Sequence, residues 1–172
     1  AKRLPEIKFN LYGNIRTIKE ELKSLIIKQK NIKLNNYVTY NKIPDIIKSN
    51  KVLLMPYEEK ISVLIKNLDV SSYISPLKLF DYLASGSTII ATDKPAYSHI
   101  LKNNFNSILI STLKTDEWVY KIKEIFNNNH NTLKIKKNAL RTAKKYTWLS
   151  RCDKIINFIF FQMLVYVSLS SK

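Results

Sequence analysis

Glycine and cysteine are both scarce in this sequence. Its 172 residues include two glycines, Gly13 and Gly86, and a single cysteine, Cys152. Folds built from hairpins and tight turns need more glycine, because glycine adopts positive φ angles without a steric cost. We therefore expect helices joined by longer, asparagine-rich loops. A single cysteine excludes a disulfide within the chain and a cysteine–histidine metal site, which fits a reducing compartment.

Acidic residues are also few, with 13 Asp and Glu against 29 Lys and Arg, so the net charge is +16. This excess reflects either a bias toward lysine, asparagine and isoleucine or an attraction to an anionic partner, such as a membrane surface, a nucleotide or nucleic acid. A recognisable nucleic-acid-binding module is absent, so no nucleic-acid partner is predicted. The P-loop, G-x-G-x-x-G and D-x-D motifs are absent too.

Short apolar runs alternate with helical patterns along most of the chain. The runs 52–55 and 88–91 are continuous, as in strands buried on both faces of a parallel sheet. Such alternation predicts an α/β fold with a doubly wound parallel sheet, whose ligands bind beyond the carboxyl ends of the strands. The predicted strands are 7–12, 37–40, 52–55, 88–91 and 107–110, and the predicted helices are 15–30, 43–49, 76–85, 95–102, 115–126 and 132–146.

The segment from Ser75 to Gly86 combines a well-capped helix with a charged first turn. Ser75 suits the N-cap, Pro76 the first helical position and Gly86 the left-handed position after the helix. A helix amino terminus attracts anions, and Lys78 adds a cation to it. Asp81 lies about 9 Å beyond Ser75 along the axis, on the scale that separates a diphosphate from the hydroxyls of its ribose.

Spacing alone leaves two interpretations of this helix open. It is either an anion site with phosphates at its start and a ribose at Asp81, or an ordinary capped helix with an exposed Lys78–Asp81 pair. In both cases we expect Leu77, Phe80 and Ala84 to form one face, with Leu83 beside it, that packs on the sheet.

An ordered series of segments resembles one family of enzymes. SPLKLFDYLASG at 75–86, followed by STIIATD at 87–93, closely resembles the donor-site helix of group 1 glycosyltransferases of GT-B fold. The segments LPEIKFNLYGN, NYVTYNKIPDIIKSNKVLLMPY, NFNSILI and KKYTW resemble further parts of that family. The resemblance covers most of the chain.

The resemblance implies a Rossmann-like half of a GT-B fold that binds a nucleotide diphosphate sugar, such as a UDP- or GDP-sugar. The implied reaction moves the sugar to a glycan or lipid-linked acceptor with retention of anomeric configuration, and needs neither a bound metal ion nor a cofactor. It identifies no catalytic residue in this chain. The implied donor-binding residues are Asp81 at the ribose, Ser75, Pro76 and Lys78 near the phosphates, Gly13 and Asn14 in the loop that approaches the donor, and Tyr40 and Ile43 near the nucleobase.

Parts of the family pattern are missing. Tyr73 stands where many members carry a second acidic residue, so the sugar-contacting role is unassigned. The family's diphosphate-binding arginine and lysine, and its acceptor domain, would precede Ala1. We therefore expect 1–150 to be a donor-binding domain without its first strand and helix, and 151–172 to be an apolar carboxyl-terminal helix. Such a chain is expected to bind a donor weakly and to be inactive alone.

The apolar stretch 155–169 is about 15 residues long, fewer than the roughly 20 that cross a bilayer. The resemblance implies that this helix crosses back onto the acceptor domain, and contact with a membrane is the alternative. The expected setting is polysaccharide biosynthesis for the cell envelope, in the cytoplasm or peripherally on the inner face of the plasma membrane.

Two other functions stay open. A GT-B epimerase uses a similar donor pocket on a two-domain scaffold, and a noncatalytic flavodoxin-like or receiver module has the same fold class. A receiver needs an acidic pocket at early strand ends, and no acid follows Tyr12. Among isolated residues, Trp148 is expected to anchor packing and Cys152 to be buried, while His99 and His130 are not expected in a site.

Overall fold

The computed structural model describes residues 1–58, 77–111, 115–128 and 132–170, with the side chains of the last helix described up to residue 161. Within these ranges strands and helices alternate. The strands are β1 (Phe9–Tyr12), β2 (Ile32–Asn35), β3 (Val52–Met55), β4 (Thr88–Thr92) and β5 (Ile108–Ile110). The α-helices are α1 (Glu20–Ile27), α2 (Ile43–Lys48), α3 (Lys78–Ser85), α4 (Thr115–Phe126), α5 (Leu133–Ala143) and α6 (Trp148–Ser170). Short 3-10 helices occupy Ile15–Thr17, Tyr40–Lys42, Pro95–Tyr97 and Lys144–Tyr146.

The described strands form two parallel sheets. β1 pairs with β2, with Phe9 opposite Ile32, and the second sheet has the order β3-β4-β5, with Leu53 opposite Ile89. Parallel neighbours cannot be joined by a tight turn, so longer connections, several of them helical, lie between consecutive strands. The α/β class with a doubly wound parallel sheet, predicted from the sequence, is confirmed.

Strand β4 is the centre of the larger sheet, and all five of its residues are buried. Because β4 has a strand on each side and packed side chains on both faces, its sequence shows no alternation between apolar and polar residues. Two apolar clusters cover these faces. The first includes Met55, Leu79, Leu83, Ile89, Tyr97 and Leu101. The second includes Leu4, Ile7, Ile90, Ile108, Ile122 and Ile125.

The prediction of a strand at 37–40 is wrong, because the second strand of the structure lies earlier, at Ile32–Asn35. Tyr37 and Tyr40 are 76% and 80% exposed. The side chain of Asn31 donates hydrogen bonds of 2.8–3.1 Å to three carbonyls, those of Ala1, Leu4 and Ile7. These bonds connect the turn before β1 to the start of β2. The pairing of this segment with β1, rather than aromatic and β-branched content, therefore determines which residues form the second strand.

Two predicted helices are shorter than expected. The predicted helix 15–30 consists of the 3-10 helix Ile15–Thr17 and then α1, and the predicted helix 95–102 contains only the 3-10 helix Pro95–Tyr97. The periodicity located both segments correctly and overestimated their regular length.

Helix α3 is rotated relative to the prediction. Leu79 and Leu83 are almost completely buried, whereas Leu77 is 83% exposed and precedes the helix. The expectation that Leu77 and Ala84 belong to the packed face is therefore wrong, whereas Leu83 is buried as expected and Phe80 is half-buried against the same cluster. Leu79 and Leu83 are separated by four residues and so share one face of the helix, which packs into the first apolar cluster.

The carboxyl end of α3 agrees with the prediction. Gly86 adopts φ 75° and ψ 8°, the left-handed conformation that ends many helices. The hydroxyl of Ser85 accepts a hydrogen bond of 3.0 Å from the backbone N–H of Ser87, which leads the chain into β4. Ser75 and Pro76, the predicted start of this helix, lie outside the described residues.

Helix α6 begins at Trp148 and presents apolar side chains to the surface. Phe158, Phe160 and Phe161 are each more than 60% exposed. Trp148 is 78% exposed and Cys152 is exposed, so the expectations of a packing anchor and of a buried cysteine are both wrong. Within the described ranges, no helix combines the length and the hydrophobicity needed to cross a bilayer.

Replacing Gly86 by alanine tests the end of α3. A β-carbon at φ 75° is strained although it would meet Leu140 at an ordinary 3.6 Å, so we expect Gly86→Ala to lower the free energy of unfolding by about 1–2 kcal/mol. Gly13→Ala is the matched control, because a β-carbon there meets nothing within 4 Å. Urea unfolding followed by circular dichroism measures both, and equal losses in the two variants would contradict this account.

Candidate functional site

A cavity of about 610 Å³ runs between β1 and β3, from Ile7 and Val52 to the carboxyl ends of the two strands. Gly13, which follows β1, and Pro56, which follows β3, line it together with Lys78 and Asp81 of α3. The outer end of the cavity therefore lies where doubly wound sheets bind their ligands, beyond the ends of parallel strands. It combines a glycine, a cation and a carboxylate within one concave surface.

Lys78 is positioned by an aromatic ring that strand β4 holds in place. Its Nζ lies 5.1 Å from the centre of the Tyr57 ring, a cation–π distance. The backbone N–H of Tyr57 donates to Thr92 Oγ1 at 3.0 Å, and the hydroxyl of Tyr97 donates to the Thr92 carbonyl. Partial burial lowers the pKa of Lys78 below its ordinary value. Tyr57 therefore connects the Lys78 ammonium group to strand β4, through a cation–π contact on one side and a backbone hydrogen bond on the other.

Asp81 lies three residues after Lys78 and is exposed to solvent. It lines the main cavity and also a second hollow of about 220 Å³ between α2 and α3, which Tyr40, Ile43 and Ala84 line as well. Its carboxylate therefore stands on the ridge between the two hollows. An exposed carboxylate in this position can accept two hydrogen bonds from a ligand that bridges them.

Tyr82 adds a neutral hydrogen-bonding group to the cavity wall. Burial raises its pKa above the ordinary value, and the nearby Tyr57 and Asp81 raise it further. Burial also raises the pKa of Tyr57. Both phenols therefore keep their protons at neutral pH, so each can donate a hydrogen bond and neither adds a negative charge beside an anionic ligand.

The structure brings together four of the residues predicted from the sequence, because Gly13, Ile43, Lys78 and Asp81 all line the main cavity. Tyr40 lines the adjoining hollow instead. Asn14 caps the following 3-10 helix, where its side-chain oxygen accepts from the backbone N–H of Arg16 at 3.0 Å. Ser75 and Pro76 lie outside the described residues. The assignment of these residues to a donor remains a prediction.

Sequence reasoning missed three residues that shape the site, namely Tyr57, Tyr82 and Thr92. Tyr57 follows Pro56 at the end of a buried strand, which is a position where ligand-binding residues are expected, so its place in the sequence carried a usable signal. Thr92 gave no such signal, because its hydroxyl accepts a hydrogen bond from the backbone N–H of Tyr57, which is distant in sequence.

Carboxylate, histidine and cysteine side chains do not gather around a possible metal position anywhere in the described part of the chain. His99 is exposed, and His130 falls outside the described residues. The expectation that no metal ion is needed stays a prediction.

Sequence comparison supplies the decisive observation, since a family model described as glycosyl transferase-like matches residues 1–157. The chain belongs to the glycosyl transferase-like family. No curated protein sequence matches it. The donor-site resemblance of the 75–86 segment thus agrees with a match that extends over most of the chain.

Solved glycosyltransferases share the fold of this family member. HepE from Anabaena, solved with UDP, superimposes with a TM-score of 0.69 at 12% identity over 94% of this chain and 43% of its own. The pneumococcal O-GlcNAc transferase GtfA, solved with UDP and GlcNAc, gives 0.63 at 18% identity, covering 92% of this chain and 30% of its own. Sucrose-phosphate synthase from Thermosynechococcus elongatus superimposes with a TM-score of 0.69 at 11% identity, over 96% of this chain and 41% of its own.

These likenesses establish a Rossmann-like half of a GT-B fold. The chain spans less than half the length of these solved glycosyltransferases. What it does within a whole enzyme is therefore a matter for proposal and experiment.

Proposed function

We propose that this chain is the donor-binding part of a retaining glycosyltransferase that takes a sugar from a nucleotide diphosphate sugar. The observation that carries the proposal is that Lys78 and Asp81 both line one cavity, which reaches the carboxyl ends of β1 and β3. Lys78 is a cation suited to phosphates, and Asp81 is a carboxylate suited to a pair of hydroxyls. A nucleoside diphosphate can use both groups.

The spacing of the two charges orders the ligand along α3. Three residues separate Lys78 from Asp81, which is about 4.5 Å along a helix axis. The diphosphate lies toward Lys78 and the loop at Gly13, and the two ribose hydroxyls donate to the Asp81 carboxylate. The nucleobase then lies toward Tyr40 and Ile43 in the adjoining hollow.

UDP is the first nucleotide to test, because HepE and GtfA, which share this fold, were both solved with UDP. GDP is the second, since the family resemblance covers both. Neither a metal ion nor a cofactor enters the proposal, because Lys78 and the loop at Gly13 are proposed to hold the diphosphate without one.

Two substitutions separate the proposed roles in the cavity. Asp81→Asn removes a charged acceptor, which is worth about 1.5–3 kcal/mol for hydrogen bonds to charged groups, so the affinities for UDP and for uridine should both fall by about 10- to 100-fold. Lys78→Met keeps an unbranched side chain without the charge, so the affinity for UDP should fall while that for uridine, which lacks phosphates, should not change. Isothermal titration or NMR titration measures all four constants.

Asp153→Asn is the control for loss of a carboxylate, because Asp153 is exposed on α6 and lines neither hollow. It should bind both ligands like the parent chain. The proposal fails if Asp81→Asn binds UDP and GDP as the parent does, or if Lys78→Met weakens uridine as much as it weakens UDP.

The proposed reaction is transfer of a hexosyl or related sugar to a glycan or lipid-linked acceptor, in polysaccharide biosynthesis for the cell envelope. The bond from the anomeric carbon to the diphosphate breaks, a bond to the acceptor oxygen forms with retained configuration, and the nucleoside diphosphate leaves. Residues 1–150 supply the donor site of this reaction, and a separate domain supplies the acceptor site. Helix α6 is proposed to pack against that domain.

The isolated chain is expected to bind a donor weakly and to transfer no sugar, because the proposal assigns the acceptor site to a separate domain. A transfer assay with radiolabelled UDP-glucose and UDP-N-acetylglucosamine, using water and a mixed glycan extract as acceptors, measures this. Turnover at about 1 s⁻¹ or above, which is within the range of ordinary enzymes, would contradict the expectation. A longer polypeptide that carries the acceptor domain is the positive control.

The net charge of +16 is proposed to hold the protein at an anionic membrane surface on the cytoplasmic side. Binding to vesicles that contain phosphatidylserine should be strong at about 0.05 M salt and mostly lost at about 0.5 M, because the Debye length shortens. Cosedimentation measures the bound fraction, and vesicles of phosphatidylcholine alone are the control. Binding that salt leaves unchanged would contradict an electrostatic attachment.

A further inference from the structure

Helix α5 (Leu133–Ala143) and the residues around it carry positive charge that no nearby carboxylate in the sequence balances. The segment 125–152 is the longest stretch of the chain without Asp or Glu. It contains seven basic residues, namely Lys134, Lys136, Lys137, Arg141, Lys144, Lys145 and Arg151. Helices α1, α2 and α4 each carry acidic residues in their first turn, whereas α5 has none. The charge of this segment therefore differs in kind from that of the other helices.

Four of these cations share one side of the helix, which we call the basic face and define as Lys134, Lys137, Arg141 and Lys144. At about 100° per residue, they fall within about 80° of one another around the helix axis. All four residues are exposed. The buried residues of α5 are Ile135, Asn138 and Ala139, which lie on a different side of the helix. The packing of α5 on α3 therefore turns the basic face toward solvent.

Carboxylates do not neutralise the basic face within the described part of the chain, where the ion pairs involve Arg3, Lys23 and Lys121 instead. Exposed leucines stand beside the cations, because Leu133 is 76% and Leu140 is 40% exposed. A leucine gains nothing from the phosphates of a nucleic acid, whereas it gains from burial at the boundary between lipid headgroups and acyl chains. Cations and leucines on one helix surface therefore favour an anionic lipid surface as the partner.

We propose that the basic face is the surface by which this protein binds an anionic membrane, with α5 lying in the plane of the lipid headgroups. The cations contact the headgroup phosphates and carboxylates, and Leu133 and Leu140 enter the boundary with the acyl chains. This inference rests on the proposed attachment to an anionic membrane, because it names the part of the protein that makes that attachment. It is independent of the proposed donor site.

The position of α5 in the fold places this surface close to the main cavity. Helix α5 packs against α3, and Ala139 belongs to the same apolar cluster as Leu79 and Leu83. Helix α3 also carries Lys78 and Asp81, which line the cavity. Packed helices lie about 8–10 Å apart, so little more than one helix separates the membrane-binding surface from the helix of the proposed donor site.

Two triple variants that lose the same charge test the proposal. The face variant carries Lys137→Gln, Arg141→Gln and Lys144→Gln. The control variant carries, at exposed positions around α1, Lys19→Gln, Lys28→Gln and Lys30→Gln. Cosedimentation with vesicles of phosphatidylcholine and phosphatidylserine in equal amounts, at about 0.1 M salt, measures the partition of each protein. The face variant should bind about 10- to 100-fold more weakly than the parent chain and the control less than about 3-fold, because only cations near the lipid surface contribute.

A polarity-sensitive fluorophore locates the contact without removing a charge. Cys152 is the single cysteine of the chain, so Cys152→Ser combined with Leu133→Cys places one label beside the basic face. Leu25→Cys in the same background is the matched control, because Leu25 is 60% exposed on α1. On addition of the same vesicles, the emission of the label at position 133 should shift to shorter wavelength, and that of the label at position 25 should not.

Equal losses in the two triple variants would overturn the proposal, and the attachment would then belong to the charge of the whole protein. Unchanged emission at position 133 with vesicles that sediment the protein would overturn it as well. Tighter binding of the parent chain to duplex DNA than to the vesicles, at the same salt and lost in the face variant, would make nucleic acid the partner. A parent chain that binds no vesicles would overturn the membrane attachment together with this proposal. Neither measurement involves a nucleotide, so failure of the proposed donor site would leave both results unchanged.

Discussion

The burial of Leu79 and Leu83 fixes the rotation of α3, and the candidate site depends on that rotation. Both side chains are almost fully buried in the cluster that also contains Met55 and Ile89. Burying a leucine is worth about 1.5–3 kcal/mol, so the pair outweighs any single exposed polar contact of the same helix. Packing therefore decides where the charges of α3 lie. Asp81 remains in solvent on the ridge between two hollows, and Lys78 lies beside Tyr57.

The elements of the fold that the sequence predicted are those governed by local rules. The apolar runs at β3 and β4 and the glycine that ends α3 are examples, since continuous burial and a positive φ each leave a direct mark on residue choice. The position of β2 was not predictable in this way. It depends on the hydrogen bonds of Asn31 to carbonyls that precede it by 24 to 30 residues. The rotation of α3 likewise depends on which neighbours are present, not on its own periodicity.

The residues of the candidate site also divide into those that the local sequence indicates and those that depend on distant contacts. Lys78 and Asp81 were recognisable because a cation and a carboxylate follow closely on a capped helix start, and because the surrounding segments resemble a family. Tyr57 and Thr92 were not, because the ring positions Lys78 through a cation–π contact and the hydroxyl holds the ring through a hydrogen bond to distant backbone.

The most direct test of the central claim is a crystal structure of this chain soaked with UDP at high concentration. The account predicts both ribose hydroxyls within about 2.6–3.2 Å of the Asp81 carboxylate oxygens and the diphosphate on the side of Lys78 and Gly13. UDP bound with its ribose away from Asp81, or at a surface outside the cavity, would contradict the account.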